Sequence, residues 1–546
     1  MSHRSRRGLT LWIALLTLPL FLLACAPEPE EPGPEPAPEP QEPELHVRQE
    51  LGALSAEQLA GYQAGVALMM SREPTDPTSW IYQANIHGVP DEGECGVVGT
   101  GSPPVWETCQ HGNFFFLAWH RMYLYYFELI LREAVAEADP DLDWELALPY
   151  WDYEGGSPLP EPFRQPADAS NPLYVAERRP ICNSGGECIT TAQGSADAAL
   201  GLTPFCNCPA GETCPDCVAG LPDQVFGGQF TAMTGHLDND YGELEQQPHN
   251  VIHTRVGGSF PAPGWMSLVE CAARDPIFWL HHANIDRLWQ VWLNEGGRAN
   301  PLGDEHWTTQ EFEFYDPTID GFRSWTACEI LNMATQLDYE YEGLPVENVT
   351  LCETPEGAEP APEEAPEEAA PEEAAPEGPE GREAPEGEPP GGMTVMAATR
   401  PGRVALGMAA REVAIPLGGG VGDRMEEMVA ADEPQEMRVV VHGIQMLHPG
   451  ALYEVYLNLP EGAEPDPESP YFLGHIAAFT DSEGSDDTSD RSFRITDAVS
   501  ALRERGEWQD AVEVTFVLAD VPEDAETRAA MPREIMRFSH LSVVRE

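Results

Sequence analysis

The sequence predicts a mainly α-helical domain followed by a separate β-rich domain, a β-sandwich or a barrel. The helical prediction rests on residues 47–352, where Ser55 and Gln58 form a capping box before a helical run and Trp119–Ala138 is an aromatic-rich amphipathic helix. The β prediction rests on residues 393–546, where short runs are rich in β-branched residues with apolar alternation. These runs are Arg438–Val441, Tyr453–Leu457 and Val512–Leu518.

Two stretches are too polar and stiff to belong to either core. Residues 25–46 and 353–392 consist largely of Pro, Glu and Ala, so we expect a tether and an interdomain linker. Acidic residues outnumber basic ones 93 to 29, which gives a formal net charge of -64. This excess of negative charge makes nucleic acid an unfavourable partner.

The first 24 residues have the pattern of a lipoprotein signal peptide. Three arginines precede an apolar run over residues 9–23, and Cys25 directly follows Ala24. We therefore expect export, partly resembling a twin-arginine signal, and a lipid on Cys25 as the membrane contact. The expected location is the bacterial cell envelope, in the periplasm or at the outer membrane. A transmembrane anchor is the alternative, although the apolar run is short for a span.

Eleven cysteines remain besides Cys25, in a chain expected to mature where disulfides persist. Their odd number leaves one cysteine with another fate. Six of them lie in a Gly-rich insertion, for which disulfides are the default and a structural zinc site is the alternative. These six are Cys182, Cys188, Cys206, Cys208, Cys214 and Cys217.

Histidines that suit metal binding fall into two groups of three. The upstream group is His87, His111 and His120; the downstream group is His249, His253 and one of the adjacent His281 and His282. Imidazole-rich sites with few thiolates and carboxylates suit copper. Two such sites, each with an open position, predict a shared ligand such as dioxygen.

Local spacing supports the downstream group. Pro248 is suited to the first turn of a helix, which places His249 and His253 one turn apart on the same face. Two core histidines are the alternative interpretation of that spacing. Asn250 replaces the glutamate that a zinc protease needs in its His-Glu-x-x-His motif, so a metalloprotease is disfavoured.

Three motifs carry a resemblance to a known family. The segments 111–128 and 275–286 resemble the two copper signatures of tyrosinases and catechol oxidases, the polyphenol oxidases with type 3 binuclear copper. Leu148–Asp152 resembles the segment between them. The resemblance spans roughly residues 80–295 and implies a four-helix bundle around a dicopper site.

Ligand positions follow from the resemblance. It implies that the first copper is held by His87, His111 and His120, and the second by His249, His253 and His282. His282 is selected over His281 because the family ligand lies four residues before the closing aspartate, here Asp286. The resemblance gives His281 a packing or supporting role. Asp286 is expected to orient ligands through hydrogen bonds, with a salt bridge as the alternative.

Further residues match the family by position. Cys109 stands two residues before His111, which implies a thioether to that histidine; a disulfide with Cys95 is the alternative. Glu245 and Asn250 match a glutamate and an asparagine that hold and polarise a water near the coppers. Their alternatives are a helix N-terminal charge and a solvent-facing residue. Met266 or Trp265 is expected to overhang the metal pocket.

The resemblance implies oxidation of phenols and catechols to ortho-quinones with O2, including hydroxylation of monophenols. A haemocyanin-like protein that binds oxygen without turnover is the alternative. In the C-terminal region, Tyr453–Asn458 and Phe538–Val544 resemble the β-rich domain of plant polyphenol oxidases, which can cover the active site. Residues 353–392 are then a processing site as well as a linker; a permanently attached domain is the simpler alternative.

Overall fold

The computed structural model describes residues 45–142, 144–200, 242–258, 263–294, 298–352, 394–431, 435–481, 484, 488–508, 512–521 and 525–545. The predicted signal peptide, the lipidation site Cys25, most of the tether and the linker lie outside these residues. So do Cys206, Cys208, Cys214 and Cys217 of the Cys-rich insertion. Within the described ranges, no helix combines the length and apolar character that crossing a membrane requires.

Helices are the predominant regular elements of residues 45–352. The helices are α1 (Ala56–Ser71), α2 (Trp80–His87), α3 (Phe116–Ala138), α4 (Pro180–Ser184), α5 (Thr191–Gly194), α6 (Asp197–Leu200), α7 (Val251–Gly257), α8 (Val269–Ala272), α9 (Ile277–Asn294), α10 (Glu305–Thr309) and α11 (Met333–Gln336). The predicted capping box of Ser55 and Gln58 forms at the start of α1, with both reciprocal hydrogen bonds present. Helix α3 begins three residues earlier than predicted and is buried along most of its length.

The segment before α7 differs from the regular helix predicted to begin at Pro248. Residues Glu245–Asn250 form a π-helical stretch in which Gln247 has extended dihedrals (φ -149°, ψ 124°). The residue before a proline is disfavoured in the α conformation, which accounts for the break. Regular α-helix starts at Val251, so His249 precedes α7 and His253 lies within it.

Short strands pair at the edges of the helical region. They are β1 (His46–Arg48), β2 (Phe312–Asp316), β3 (Gly321–Trp325) and β4 (Tyr339–Tyr341). Strand β1 pairs with β4 in parallel, and β2 pairs with β3 antiparallel. The first pairing brings the start of the described chain beside residues almost three hundred positions later.

Residues 394–545 are rich in strands, as predicted. They contain β5 (Thr394–Ala398), β6 (Val404–Leu406), β7 (Arg411–Ile415), α12 (Val421–Val429), β8 (Met437–Met446), β9 (Leu452–Leu457), β10 (Phe472–Ala477), β11 (Ser489–Arg494), α13 (Thr496–Glu504), β12 (Val512–Leu518), α14 (Ala525–Ala530), β13 (Met536–Phe538) and β14 (His540–Arg545). One sheet has the order β10-β9-β12-β7, and a second has the order β5-β14-β8-β13-β6, with β11 also paired to β8. The three predicted runs lie in β8, β9 and β12.

The two regions have separate hydrophobic cores. One aromatic side chain of the β-rich region, Phe479, belongs instead to the core of the helical region. It follows β10 and is 2% exposed. Phe479 is therefore an anchor of the β-rich region in the helical region.

Ion pairs also join the two regions. Arg491 of β11 donates two hydrogen bonds to Glu243, at 2.5 and 2.8 Å, and both residues are buried. Asp520, after β12, accepts hydrogen bonds from Arg179 and Arg255, each at 2.5 Å. Charge-assisted, two-pronged contacts of this kind fix orientation as well as distance.

Candidate metal centre

Six distant positions of the helical region supply histidines to one cavity. His87 is the last residue of α2, His111 lies in the loop before α3, and His120 lies in the first turns of α3. His249 lies in the π-helical stretch, His253 in α7 and His282 in α9. Five of the six side chains are at most 3% exposed, and His111 is half-buried.

The upstream histidines form one cluster with a cysteine. The ligand atoms of His87, Cys109, His111 and His120 all lie within 4.8 Å of one another. The rings of His87 and His111 have centroids 5.0 Å apart, and those of His111 and His120 are 5.4 Å apart. These distances leave room for one ion among the three rings.

The downstream histidines form a second cluster. His249, His253, His281 and His282 also offer ligand atoms within 4.8 Å of one another. The Nε2 atoms of His253 and His282 are 3.2 Å apart, so these two side chains converge on one point. His281 stacks on His249 at 5.3 Å, and its Nδ1 lies 3.1 Å from the Tyr153 hydroxyl. His281 therefore belongs to the same group of possible ligands, and its Nε2 is buried without a hydrogen-bond partner, so the choice of His282 over His281 stays a prediction from the resemblance.

The two clusters face each other. The rings of His120 and His282 stack at 4.5 Å with an interplanar angle of 15°. Those of His111 and His249 lie 5.9 Å apart. All six histidines that the sequence selected are therefore brought together as two adjoining triads.

Backbone carbonyls hold three of the rings. The Nδ1 atoms of His87, His120 and His253 donate to the carbonyls of Val269, Phe116 and Met266, each at 2.8 Å. A carbonyl can only accept, so Nδ1 carries the proton and Nε2 keeps its lone pair. Each of these rings is thus set in the tautomer that binds a metal through Nε2.

The buried nitrogens fit a metal ion. The Nε2 atoms of His87 and His249 are buried and have no hydrogen-bond partner. Burial, followed by repulsion from neighbouring rings in most cases, lowers the pKa of all six histidines, to about 3 for His111. Neutral imidazoles are the ligating form, and six of them without a carboxylate suit copper.

Asp286 was expected to orient the histidine ligands, but its hydrogen bonds go to other residues. Its carboxylate accepts hydrogen bonds from Arg121 at 2.5 Å and from the hydroxyls of Tyr339 and Tyr341 at 2.7 Å, and it pairs with Arg48 at 3.3 Å. The ligand-orienting role is therefore wrong, and the salt bridge that was the alternative is what the structure shows. The two arginines outweigh the burial and lower the pKa of this carboxyl.

Glu245 and Asn250 lie beside His249, and neither faces solvent. Glu245 is fully buried and its Oε1 accepts from the Gly112 amide at 2.9 Å. Gly112 has φ 62°, which favours glycine and turns its amide to the carboxylate. Asn250 is 3% exposed, and its Oδ1 lies 2.9 Å from Nδ1 of His249. Asn250 thereby orients a ligand, which the solvent-facing alternative does not accommodate.

Cys109 is a free thiol beside the upstream cluster. Its Sγ lies 3.7 and 3.8 Å from the two ring nitrogens of His111 and 3.4 Å from Nε2 of His120. The alternative disulfide with Cys95 is wrong, because Cys95 pairs with Cys271. The other disulfides among the described residues are Cys182–Cys188 and Cys328–Cys352.

Phe479 of the β-rich region covers the downstream cluster. Its ring stacks on His253 at 3.9 Å and 15°, and it lies 5.6 Å from His111 and 5.7 Å from His249. From the sequence, Met266 or Trp265 was expected to overhang the metal pocket. Met266 instead contributes its carbonyl to His253, and Trp265 packs against the cluster of Leu268 and Cys271. No local signal distinguishes Phe479, because its partner lies more than two hundred residues away.

Known proteins share this domain. The common central domain of tyrosinase matches residues 77–295. A tyrosinase of Hahella sp. (strain CCB-MM4) is 37% identical over 285 residues, which are 50% of this chain and 58% of that protein. The latent chloroplastic polyphenol oxidase of Prunus armeniaca is 31% identical over 302 residues, 52% of this chain and 46% of that protein. The matched part therefore spans about half the length of these relatives.

Solved structures share the fold over almost the whole chain. Latent apple tyrosinase aligns with 94% of this chain and 98% of its own, with a TM-score of 0.58 and 20% identity. Recombinantly expressed latent aurone synthase, a polyphenol oxidase, aligns with 93% of this chain and 90% of its own, with a TM-score of 0.56 and 20% identity. The fold of this chain, with a helical region and a β-rich region, is thus similar to that of these two solved structures.

The facing histidine triads and the matched domain together assign the protein a binuclear copper site. Residues 77–295 therefore carry the common central domain of tyrosinase, and this part of the chain is similar to tyrosinases and polyphenol oxidases.

Proposed function

We propose that the protein uses O2 to oxidise phenols and catechols to ortho-quinones at two copper ions. The observation that supports this proposal most directly is the pair of facing, buried triads, each with ring nitrogens turned to a common point. The first ion would be held by His87, His111 and His120, and the second by His249, His253 and His282. Bound copper supplies the redox chemistry, whereas the protein supplies geometry and proton control.

The carbonyl-bound Nδ1 atoms keep the ligands in place before copper arrives. Asn250 does the same for His249 through a side-chain oxygen. Because Cys109 lies within 4 Å of His111, we also propose a thioether between Sγ and a ring carbon of His111. Its formation would release the thiol and ring hydrogens as protons, and O2 at the copper ions would take up the two electrons. Such a bond would fix the one upstream histidine that is only half-buried.

Glu245 is proposed to help remove the proton of a phenol. Phenols have a pKa near 10, so binding as a phenolate at neutral pH requires a base. Glu245 is buried beside the cluster, and water held by its carboxylate together with Asn250 would accept that proton. This supports hydroxylation of monophenols as well as oxidation of catechols.

Oxygen uptake and quinone formation test the proposal. The copper-loaded chain would be assayed with catechol and with 4-methylphenol, intact and after cleavage between residues 353 and 392. We expect quinone from catechol at least after cleavage, and from 4-methylphenol with a lag. A protein that binds oxygen reversibly but forms no quinone in either state would establish the haemocyanin-like alternative.

The β-rich region is proposed to keep the enzyme latent, with Phe479 in the place of a substrate ring. Its two sheets would face each other as a sandwich, and α1, α3, α7 and α9 would form the bundle around the copper ions. The ion pairs of Arg491 and Asp520 would hold the two regions together until the linker is processed.

Export and lipid anchoring at Cys25 are also proposed, from the signal pattern of the first 24 residues. Expression with a radiolabelled fatty acid would test this. We expect label in the wild type and none in Cys25→Ser. Label retained by that variant would contradict the anchor.

A further inference from the structure

A cleft of about 320 Å³ borders the upstream histidine cluster, and we call it the acidic vestibule. Its carboxylates are Asp91, Glu94, Glu107, Glu270 and Asp481, and its inner wall includes His87, Cys109 and His111. No lysine or arginine lines it among the described residues. Five carboxylates around one cleft create a field that concentrates cations.

Covalent and backbone contacts hold the walls of the acidic vestibule in place. The disulfide Cys95–Cys271 ties the residue after Glu94 to the residue after Glu270. Asp481 comes from the β-rich region and shares a hydrogen bond with Glu270. The carbonyl of Thr480, next to it, accepts from the Val269 amide at 3.3 Å. The acidic vestibule is therefore present in the same structure in which Phe479 covers the downstream histidine cluster.

Glu107 stands in a strained backbone conformation at this cleft. Its φ is 59°, a region that non-glycine residues rarely adopt and that costs about 1–3 kcal/mol. Backbone hydrogen bonds on both sides hold it there, from Glu107 to Asn85 at 3.0 Å and from Thr108 to Ile86 at 3.2 Å. Glu107 is exposed, lines the acidic vestibule and lies two residues before Cys109 in the chain.

The inner wall presents metal-binding atoms to the same cleft. His87 is 2% exposed, its Nδ1 is bound to the Val269 carbonyl, and its Nε2 has no partner. Cys109 Sγ lies within 4 Å of both His111 and His120. An incoming ion thus meets exchangeable oxygen ligands first and tighter nitrogen and sulfur ligands further in.

We propose that the acidic vestibule is the uptake route for copper, where carboxylates bind the ion transiently before His87, His111 and Cys109 receive it. The inference rests on the copper site proposed above and does not depend on phenol oxidation. A cationic phenol is a less fitting occupant, because the vestibule ends on the metal ligands themselves.

Copper uptake by the intact, copper-free protein tests the route. Copper(II) sulfate would be added at low ionic strength, and protein-bound copper measured by mass spectrometry after rapid desalting at successive times. The test variant is D91N/E94Q/E107Q. The matched control is E412Q/E427Q/E464Q, which removes the same charge from exposed positions of the β-rich region.

We expect the vestibule variant to take up copper about tenfold more slowly than the control, and both to reach the same final copper content. In 1 M NaCl the difference should shrink, because the Debye length falls to about 3 Å. The single variant E107Q, the mildest change, should slow uptake by about twofold to threefold by the same steering argument. Equal uptake rates for both triple variants would overturn the proposal, as would an effect confined to the KM of a cationic phenol such as tyramine. Copper content is measured without turnover, so an inactive but copper-loaded protein refutes phenol oxidation and leaves the uptake route standing.

Discussion

Phe479→Ala is expected to lower the KM of the intact, copper-loaded chain for catechol by about 30-fold. The Phe479 ring is buried and stacks on His253 at 3.9 Å. Burial of a phenylalanine contributes about 1.5–3 kcal/mol and aromatic stacking about 0.5–1.5 kcal/mol. A substrate that must displace the ring therefore loses roughly 2–4.5 kcal/mol, which raises the apparent KM by about 30-fold to 2000-fold.

The alanine variant opens the space without moving the β-rich region. The side chain that is removed is a phenyl ring, so the cavity left over His253 has the size of a catechol ring. The ion pairs of Arg491 and Asp520 remain, and access from solvent stays partly restricted. We therefore expect the decrease in KM for catechol to lie near the lower end of the range of fold-changes given above.

Initial rates of quinone formation across a catechol series give the KM. Phe479→Leu is the matched control, because it keeps most of the bulk and should keep most of the high KM. Phe322→Ala, at an exposed phenylalanine 43% accessible, controls for loss of an aromatic side chain elsewhere. If Phe479→Ala and Phe479→Leu share the KM of the wild type while electrophoresis shows intact chains, Phe479 does not occlude the substrate position.

Three further predictions concern stability and metal binding. Arg491→Met leaves Glu243 buried without its partner and should lower the free energy of unfolding by about 3–5 kcal/mol in urea titrations. Adding Glu243→Gln to this variant should restore part of the lost stability. If the double variant recovers no stability, the two residues do not form a buried pair. Asn250→Ala should weaken copper binding about 10-fold to 100-fold in chelator competition, because His249 loses the nearer of the two oxygens at its Nδ1 and keeps only the Glu245 carbonyl at 3.3 Å. Unchanged affinity would show that Asn250 is dispensable. His475 has its pKa lowered to about 3, mainly by burial, so the unfolded chain takes up its proton first as the pH falls below about 6.5, and folding stability declines from there towards pH 3. His475→Gln should reduce that slope in the copper-free protein by up to about 1.4 kcal/mol per pH unit, measured from urea midpoints between about pH 5.5 and 4, where the unfolded histidine is protonated and the buried one is neutral. An identical slope in the two proteins would contradict the neutral buried form.

Local features explain which parts of the fold were predictable. The capping box of Ser55 and Gln58, the amphipathic pattern of α3 and the strands around Val439, Val455 and Val514 all depend on residues a few positions apart. Such short-range patterns are set by backbone geometry and by the alternation of buried side chains. The set of six histidine ligands was instead implied by the resemblance to the two copper signatures, because spacing alone left His281 and His282 open.

Break points within elements were less predictable. Pro248 was expected to open a regular helix, whereas Gln247 before it is extended and regular helix begins at Val251. The preference of a residue before proline is a local tendency, and the surrounding packing decides how the chain accommodates it.

The sequence by itself, read with its family resemblance, determined the two regions of the chain and the type of metal centre, and it predicted the six histidine ligands. Only the tertiary structure decided that Asp286 binds Arg121 rather than a ligand, that Cys95 pairs with Cys271, and that Phe479 covers His253. The physical reason is sequence separation. These contacts join residues 165, 176 and more than two hundred positions apart, where no periodicity or spacing links the partners and packing of the whole chain selects them.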